Sequence, residues 1–239
     1  MKTIGLLGLS NPCSRQKIQP LYQWLKSLGM VVLVSPYLYT ESTPEQRASV
    51  FNTWIYENID HIFDVSGGDL ANETIPYLDL DAYRRSTSFF YGYSDLTCVL
   101  NVLAPLRRCA LFQICGNTHT DLIEAHLKGI SDSLFIGSGL GGNIRCLLKL
   151  AGTPYFPDLK GKRLYLESYS GDEYRIRTFF AQLKSMGVLD GVESICLGQF
   201  TELDTKDRKV LDRLCQGIIY QHDLRFGHSA DSYGVWLED

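Results

Sequence analysis

Phe89-Phe90-Tyr91-Gly92-Tyr93-Ser94-Asp95-Leu96-Thr97 is the stretch from which the rest of the chain is read. An aromatic run suited to a strand stops at a glycine, and a serine follows two residues later. Leu96, Val99, Leu100 and Leu103 then recur at helical spacing. A serine at such a strand-to-helix corner presents its hydroxyl on a tight turn. The unpaired N–H groups that begin any helix face the same space. That arrangement suits a nucleophile beside an oxyanion hole. Ser and Asp are also the usual helix N-caps, so the segment by itself reads more readily as a plain cap.

Working outward, the first half alternates strand and helix. The pattern predicts strands over residues 4–9, 31–34, 61–65, 89–91 and 110–114. Helices are predicted over 14–28, from the Thr43-Pro44-Glu45-Gln46 capping box to about residue 56, and over 121–127. Such alternation argues for a doubly wound, flavodoxin- or Rossmann-like parallel sheet with helices on both faces. Ligands of such sheets bind beyond the carboxyl ends of the strands, where Gly67-Gly68 and Ser94 both fall. After the glycine-dense segment 137–142, expected as a joint, and an extended crossing at 153–157, a second α/β pattern follows. Strands are expected at 163–167, 194–197, 218–220 and 233–237, and helices at 173–186 and 205–216. The boundary is placed between residues 128 and 134. Residues 1–130 form an N-terminal α/β domain and residues 134–239 a smaller C-terminal one.

Composition narrows the function classes. The chain has 239 residues, 45% of them hydrophobic, and a net charge of −4 with both signs interleaved. That charge supplies neither a nucleic-acid footprint nor a polybasic membrane patch. No apolar stretch is long enough to span a bilayer. Residues 1–9 are too short for a signal peptide and run into the Ser10-Asn11-Pro12 turn, so a first buried strand and a cytoplasmic protein are expected. Seven scattered cysteines with no Cys-x-x-Cys pair read as reduced, buried thiols. No histidine pair has metal-ligand spacing, so no metal is expected.

Further candidates are fewer. Ser66-Gly67-Gly68-Asp69 ends a strand, and paired glycines allow N–H groups to hold a developing oxyanion or simply to make a tight turn. Neither this pair nor the glycines at 137–142 matches a phosphate-binding loop. Glu167 closes a strand, where a carboxylate is either solvated or set to orient a histidine. Of five histidines, His61, His119 and His126 read as structural and His222 as surface. His228, in the loop Phe226-Gly227-His228-Ser229, is the best candidate general base.

Taken in order, three segments resemble the LD-carboxypeptidase family of serine peptidases, which includes murein tetrapeptide carboxypeptidases and microcin C self-immunity peptidases. They are Ser66-Gly67-Gly68-Asp69-Leu70-Ala71-Asn72-Glu73-Thr74-Ile75-Pro76-Tyr77-Leu78-Asp79, then Gly92-Tyr93-Ser94-Asp95-Leu96-Thr97, and a run from Gly141-Gly142-Asn143 through Leu164-Tyr165-Leu166-Glu167 to Gly187-Val188-Leu189-Asp190-Gly191-Val192. The resemblance implies a triad split over two domains, with the site at their interface. Ser94 is the nucleophile, His228 the base and Glu167 its orienting carboxylate, with the backbone N–H groups of Gly68 and Asp95 as the oxyanion hole. It implies hydrolysis of the amide between an L-residue and a C-terminal D-residue, or of a related aminoacyl-nucleotide antibiotic. No cofactor is implied, and a homodimer is compatible with it. Ser168 and Ser229 depart from the family's residues after the glutamate and the histidine. The sequence between Ser94 and Gly141 is shorter than the family's, which predicts an open cleft. The competing reading is a catalytically silent protein that uses the same cleft to hold a peptide or nucleotide.

Overall fold

Apolar residues along the early strands are buried on both faces, and their neighbours show why. Ile4 and Leu6 of β1 (Thr3–Leu7) join a core with Ile18, Leu21 and Leu25 from helix Arg15–Ser27. Leu7 lies in a second core with Phe51, Trp54 and Ile55 from helix Pro44–Tyr56. Successive strand residues point to opposite faces, so one helix covers each side, as a doubly wound sheet requires. The Thr43 capping box forms as expected, with Gln46 N donating to Thr43 Oγ1 and Thr43 N to Gln46 Oε1.

The computed structural model describes residues 1–239. The remaining strands are β2 (Val31–Val34), β3 (His61–Asp64), β4 (Phe89–Gly92), β5 (Cys109–Leu111), β6 (Phe135–Asn143), β7 (Arg163–Ser168), β8 (Ser194–Phe200), β9 (Tyr220–His222) and β10 (Gly234–Leu237). They form one sheet in the order β2-β1-β3-β4-β5-β10-β6-β7-β8-β9. The α/β expectation therefore holds, and the sheet is parallel throughout except where β10 runs antiparallel to β5. The first five strands take the flavodoxin order, with a switch point between β1 and β3 that opens a crevice at their carboxyl ends. The last strand of the chain, β10, fills the seam between the two halves of the sheet.

Three sequence expectations need correction. Residues 137–142 are not a joint but the middle of β6, whose first part pairs with β10 and whose end, Leu140–Asn143, pairs with β7. Its glycines serve close packing. A Cβ on Gly142, at φ +131°, would stand 2.7 Å from Thr97 Oγ1, so only glycine lets this strand lie against helix Thr97–Leu103. The expected helix over 205–216 is shorter, Lys209–Leu214, and a separate helical turn, Thr201–Asp204, precedes it. Asp204 turns back to accept from Phe200 N, and Asp207 accepts from Lys209 N to restart the helix. The segment 153–157 begins as a turn rather than as an extended crossing.

Candidate active site

The end of β4 delivers Ser94 in a conformation that serine rarely takes. Its φ is +56°, one of two positive values among non-glycine residues in the chain. A left-handed serine between a strand and a helix costs on the order of 1–3 kcal/mol and persists only when its surroundings hold it. Those surroundings are visible. Asp95, next in sequence, is fully buried and its carboxylate is held by three donors: Ser10 Oγ at 2.6 Å, Ala71 N at 2.9 Å and Lys149 Nζ at 2.5 Å. Lys149 follows helix Ile144–Leu148 in the second half of the chain, so this ion pair ties the Ser94 turn across the molecule. Lys149 Nζ also donates to Asp69 O, and Arg145 pairs with Asp69.

Helix Thr97–Leu103 makes a second tie. Thr97 Oγ1 accepts from Asn143 N at 3.0 Å. Asn101 donates to Gly141 O and accepts from Gly141 N, both at 2.9 Å. These buried bonds fix the end of β6, and β6 fixes β7, because Asn143 is in register with Glu167. Glu167 is thereby held on a strand, and its exposure is 0%.

His228 Nδ1 lies 2.8 Å from Glu167 Oε2. The ring N–H is not aimed along that line, and neither glutamate oxygen has another hydrogen-bond partner. The two groups are in contact without a linear hydrogen bond. A carboxylate buried in this way is tolerable only beside a group able to carry positive charge, and His228 is that group. The His228 ring sits edge-on to Tyr93, with centroids 4.9 Å apart, and 5.0 Å from the Tyr169 ring. Burial, and secondarily the charge of Glu167, push the Tyr93 phenol well above its ordinary pKa, so it stays neutral there. The loop bearing His228 is pinned by Gln199 on β8, which accepts from Ser229 N and donates to Ser229 Oγ and Leu224 O.

Ser94 and His228 line one cavity of about 150 Å³ together with Tyr93, Ser66, Gly67 and Lys17. No hydrogen bond joins Ser94 Oγ to the ring, which is common before substrate binds. Of the paired glycines, Gly67 lines this cavity, and Gly68 follows at φ +120°. A Cβ on Gly68 would stand 2.0 Å from Asn11 Oδ1, which accepts from Asp69 N and so holds the turn. Asp64 also lines the cavity. It accepts from Leu9 N, Ser66 N and Ser66 Oγ, and burial nevertheless pushes its carboxyl up to about 7. No cluster of three or more His, Cys, Asp or Glu side chains could hold a metal ion. No helix is long and apolar enough to cross a membrane.

The other histidines lie elsewhere. His61 and His126 are buried at the opposite end of the strands, His119 bonds to Asp231 O, and His222 pairs with Asp212. Sequence reasoning missed Lys149, Arg145, Gln199 and Asn11. Nothing in their local sequence marks them, because each acts across a long chain separation.

Two family models match the chain, an LD-carboxypeptidase N-terminal domain over residues 4–113 and an LD-carboxypeptidase C-terminal domain over residues 136–238. A probable murein peptide carboxypeptidase of Bacillus subtilis is 23% identical over 230 residues, spanning 83% of this chain and 72% of the relative. The microcin C7 self-immunity protein MccF of Escherichia coli is 27% identical, spanning 72% of this chain and 65% of the relative. A structure of MccF in complex with glutamyl sulfamoyl guanosine superposes with a TM-score of 0.85 at 20% identity, over 99% of this chain and 91% of that one, a likeness of fold.

Proposed function

Because the chain belongs to the LD-carboxypeptidase family of peptidases, we propose that Ser94, His228 and Glu167 are its catalytic triad. The observation that carries this reading is the meeting of a strained serine and a histidine in one cavity, with the histidine backed by a wholly buried carboxylate. In the first step Ser94 Oγ attacks the scissile carbonyl and His228 Nε2 takes its proton. Glu167 holds the ring and stabilises the positive charge it acquires. The oxyanion is received by the N–H groups of Gly68 and Asp95, the former of which has no acceptor within the protein. His228 then returns the proton to the leaving amine, and water releases the acyl group by the same steps in reverse order.

The relatives support the reading of the substrate class. It is a murein-type peptide, cut between an L-residue and a C-terminal D-residue, or an aminoacyl nucleotide of the microcin C type. The cavity volume, about 150 Å³, suits a small group at the reacting end. The protein acts in the cytoplasm, without a cofactor, as a monomer or a homodimer. The silent-binding reading has no observation in its favour, since a binding cleft needs neither the strain at Ser94 nor a buried Glu167.

A fluorophosphonate probe tests the assignment directly. Ser94 should be labelled in the wild type, and labelling should vanish in Ser94→Ala and survive EDTA and a thiol reductant. Equal labelling of both proteins would overturn the assignment. A panel of murein tetrapeptide against an aminoacyl sulfamoyl adenosine then separates the two substrate classes.

A further inference from the structure

We infer that Lys17 is the specificity residue that receives the free carboxylate of the substrate's C-terminal residue; the inference rests on the peptidase reading above. An exopeptidase that removes one terminal residue must recognise the end of the chain. The chemical mark of that end is an anion a few bonds beyond the scissile nitrogen. A cation near the nucleophile is the natural partner, provided that it is not already neutralised.

The charged groups around the nucleophile sort clearly on that criterion. Lys149 is committed to Asp95 and to Asp69 O, and Arg145 to Asp69. Both therefore belong to the scaffold. Lys17, in the first turns of helix Arg15–Ser27, is exposed and lines the cavity that holds Ser94 and His228. It makes no ion pair, and it is the cavity's sole lysine or arginine. Two thiols that its charge reaches, Cys13 and Cys115, are held by burial at about 12 and about 11, so they are neutral and do not compensate it. Asp64, the carboxylate in the same lining, is occupied by two N–H groups and the Ser66 hydroxyl. The cavity thus contains a nucleophile, a base and one uncompensated cation.

The experiment compares an N-acetylated L,D-dipeptide carrying a free C-terminal carboxylate with its C-terminal amide. Turnover is measured on wild type, Lys17→Met and Lys17→Arg, with a neutral activated ester as a third substrate. A charge-assisted contact at a part-exposed site predicts that Lys17→Met loses about 10- to 100-fold in kcat/KM on the free acid, chiefly through KM. The amide and the ester should be unaffected, and Lys17→Arg should retain most of the preference. Dissociation constants of the acid and the amide are measured in parallel on Ser94→Ala and on Ser94→Ala with Lys17→Met. If the wild type hydrolyses none of the three substrates, the catalytic reading fails, while the binding arm still tests Lys17. An acid-to-amide ratio that Lys17→Met leaves unchanged, in turnover or in binding, overturns the inference.

Discussion

Two carboxylate–histidine pairs stand beside tyrosines of the same segment, at opposite ends of the central strands. At the carboxyl end, Glu167 and His228 are 2.8 Å apart beside Tyr93. At the other end, Asp132 and His126 are 2.7 Å apart, and Tyr91 OH bridges His126 Nε2 at 2.8 Å to His61 Nδ1 at 2.9 Å. The second chain has its direction fixed by Asp132. The carboxylate accepts from His126 Nδ1, which leaves Nε2 to accept from Tyr91, which in turn accepts from His61. Both nitrogens of His126 are thereby used. Asp132 keeps 63% of its side chain in water, and the adjoining cavity of about 370 Å³ contains no strained serine. At the carboxyl end the carboxylate is wholly buried, and the ring faces a cavity shared with a left-handed serine. The lesson is that a histidine beside a carboxylate does not by itself mark a reactive site. Reactivity needs a ring nitrogen left open toward a positioned nucleophile, and a carboxylate with no other use for its charge.

The harshest way to break this contrast is at the nucleophile. Ser94→Ala should lower kcat by about 10⁴- to 10⁶-fold with its far-ultraviolet circular dichroism unchanged. Turnover near the wild-type rate would remove the distinction between the two ends. The next test exchanges the carboxylates in parallel. Glu167→Gln should cost about 10³- to 10⁴-fold in kcat, whereas Asp132→Asn, at the part-exposed pair, should stay within about twofold. Equal losses would mean that both histidine pairs serve the reaction.

A third measurement sharpens the contrast through pH. Burial, and then the neighbouring His126, hold His61 down to about 4, and burial lowers His126 as well. Folding therefore favours the neutral rings. The contribution of the neutral His61 ring to stability is complete above the ordinary value near 6.5, falls as the pH drops, and is gone below about 4. For His61 it amounts to roughly 3 kcal/mol. Urea midpoints should decline across that window in the wild type and decline less in His61→Gln, with turnover at neutral pH preserved. A flat wild-type profile would show that the buried chain is indifferent to protonation. The smallest effect is the release of backbone strain. Ser94→Gly should unfold at higher urea by about 1 kcal/mol while being inactive, because glycine takes the positive φ freely. A loss of stability would mean that the turn is not strained.

The expected short strands and long helices of the first half appear within one to three residues of their predicted limits, because their apolar periodicity and caps are local. Gly29 at φ +78° and the Thr43 box show such signals working. The middle of β6 was misread because its glycines answer to Thr97 and Tyr165, residues that no local pattern connects to them. The break near residue 207 was missed because it rests on the Asp204 and Asp207 side chains folding back on the backbone. In the same way Ser94 could be proposed from its turn, and Glu167 and His228 from their place in the order of motifs. The lysine, arginine and glutamine that hold the turn and the loop are legible only once the chain has closed on itself.

That closure has an order in time. The seam between the two halves is filled by Gly234–Leu237, which pairs with Cys109–Leu111 on one side and with the start of β6 on the other. A chain growing from its N-terminus makes Ser94 early, and the strand that joins the sheet about 140 residues later. Until then, the edges of β5 and β6 are open to solvent and to each other's neighbours. A nascent chain therefore carries Ser94, Glu167 and His228 before it carries the strand that joins the two halves of the sheet.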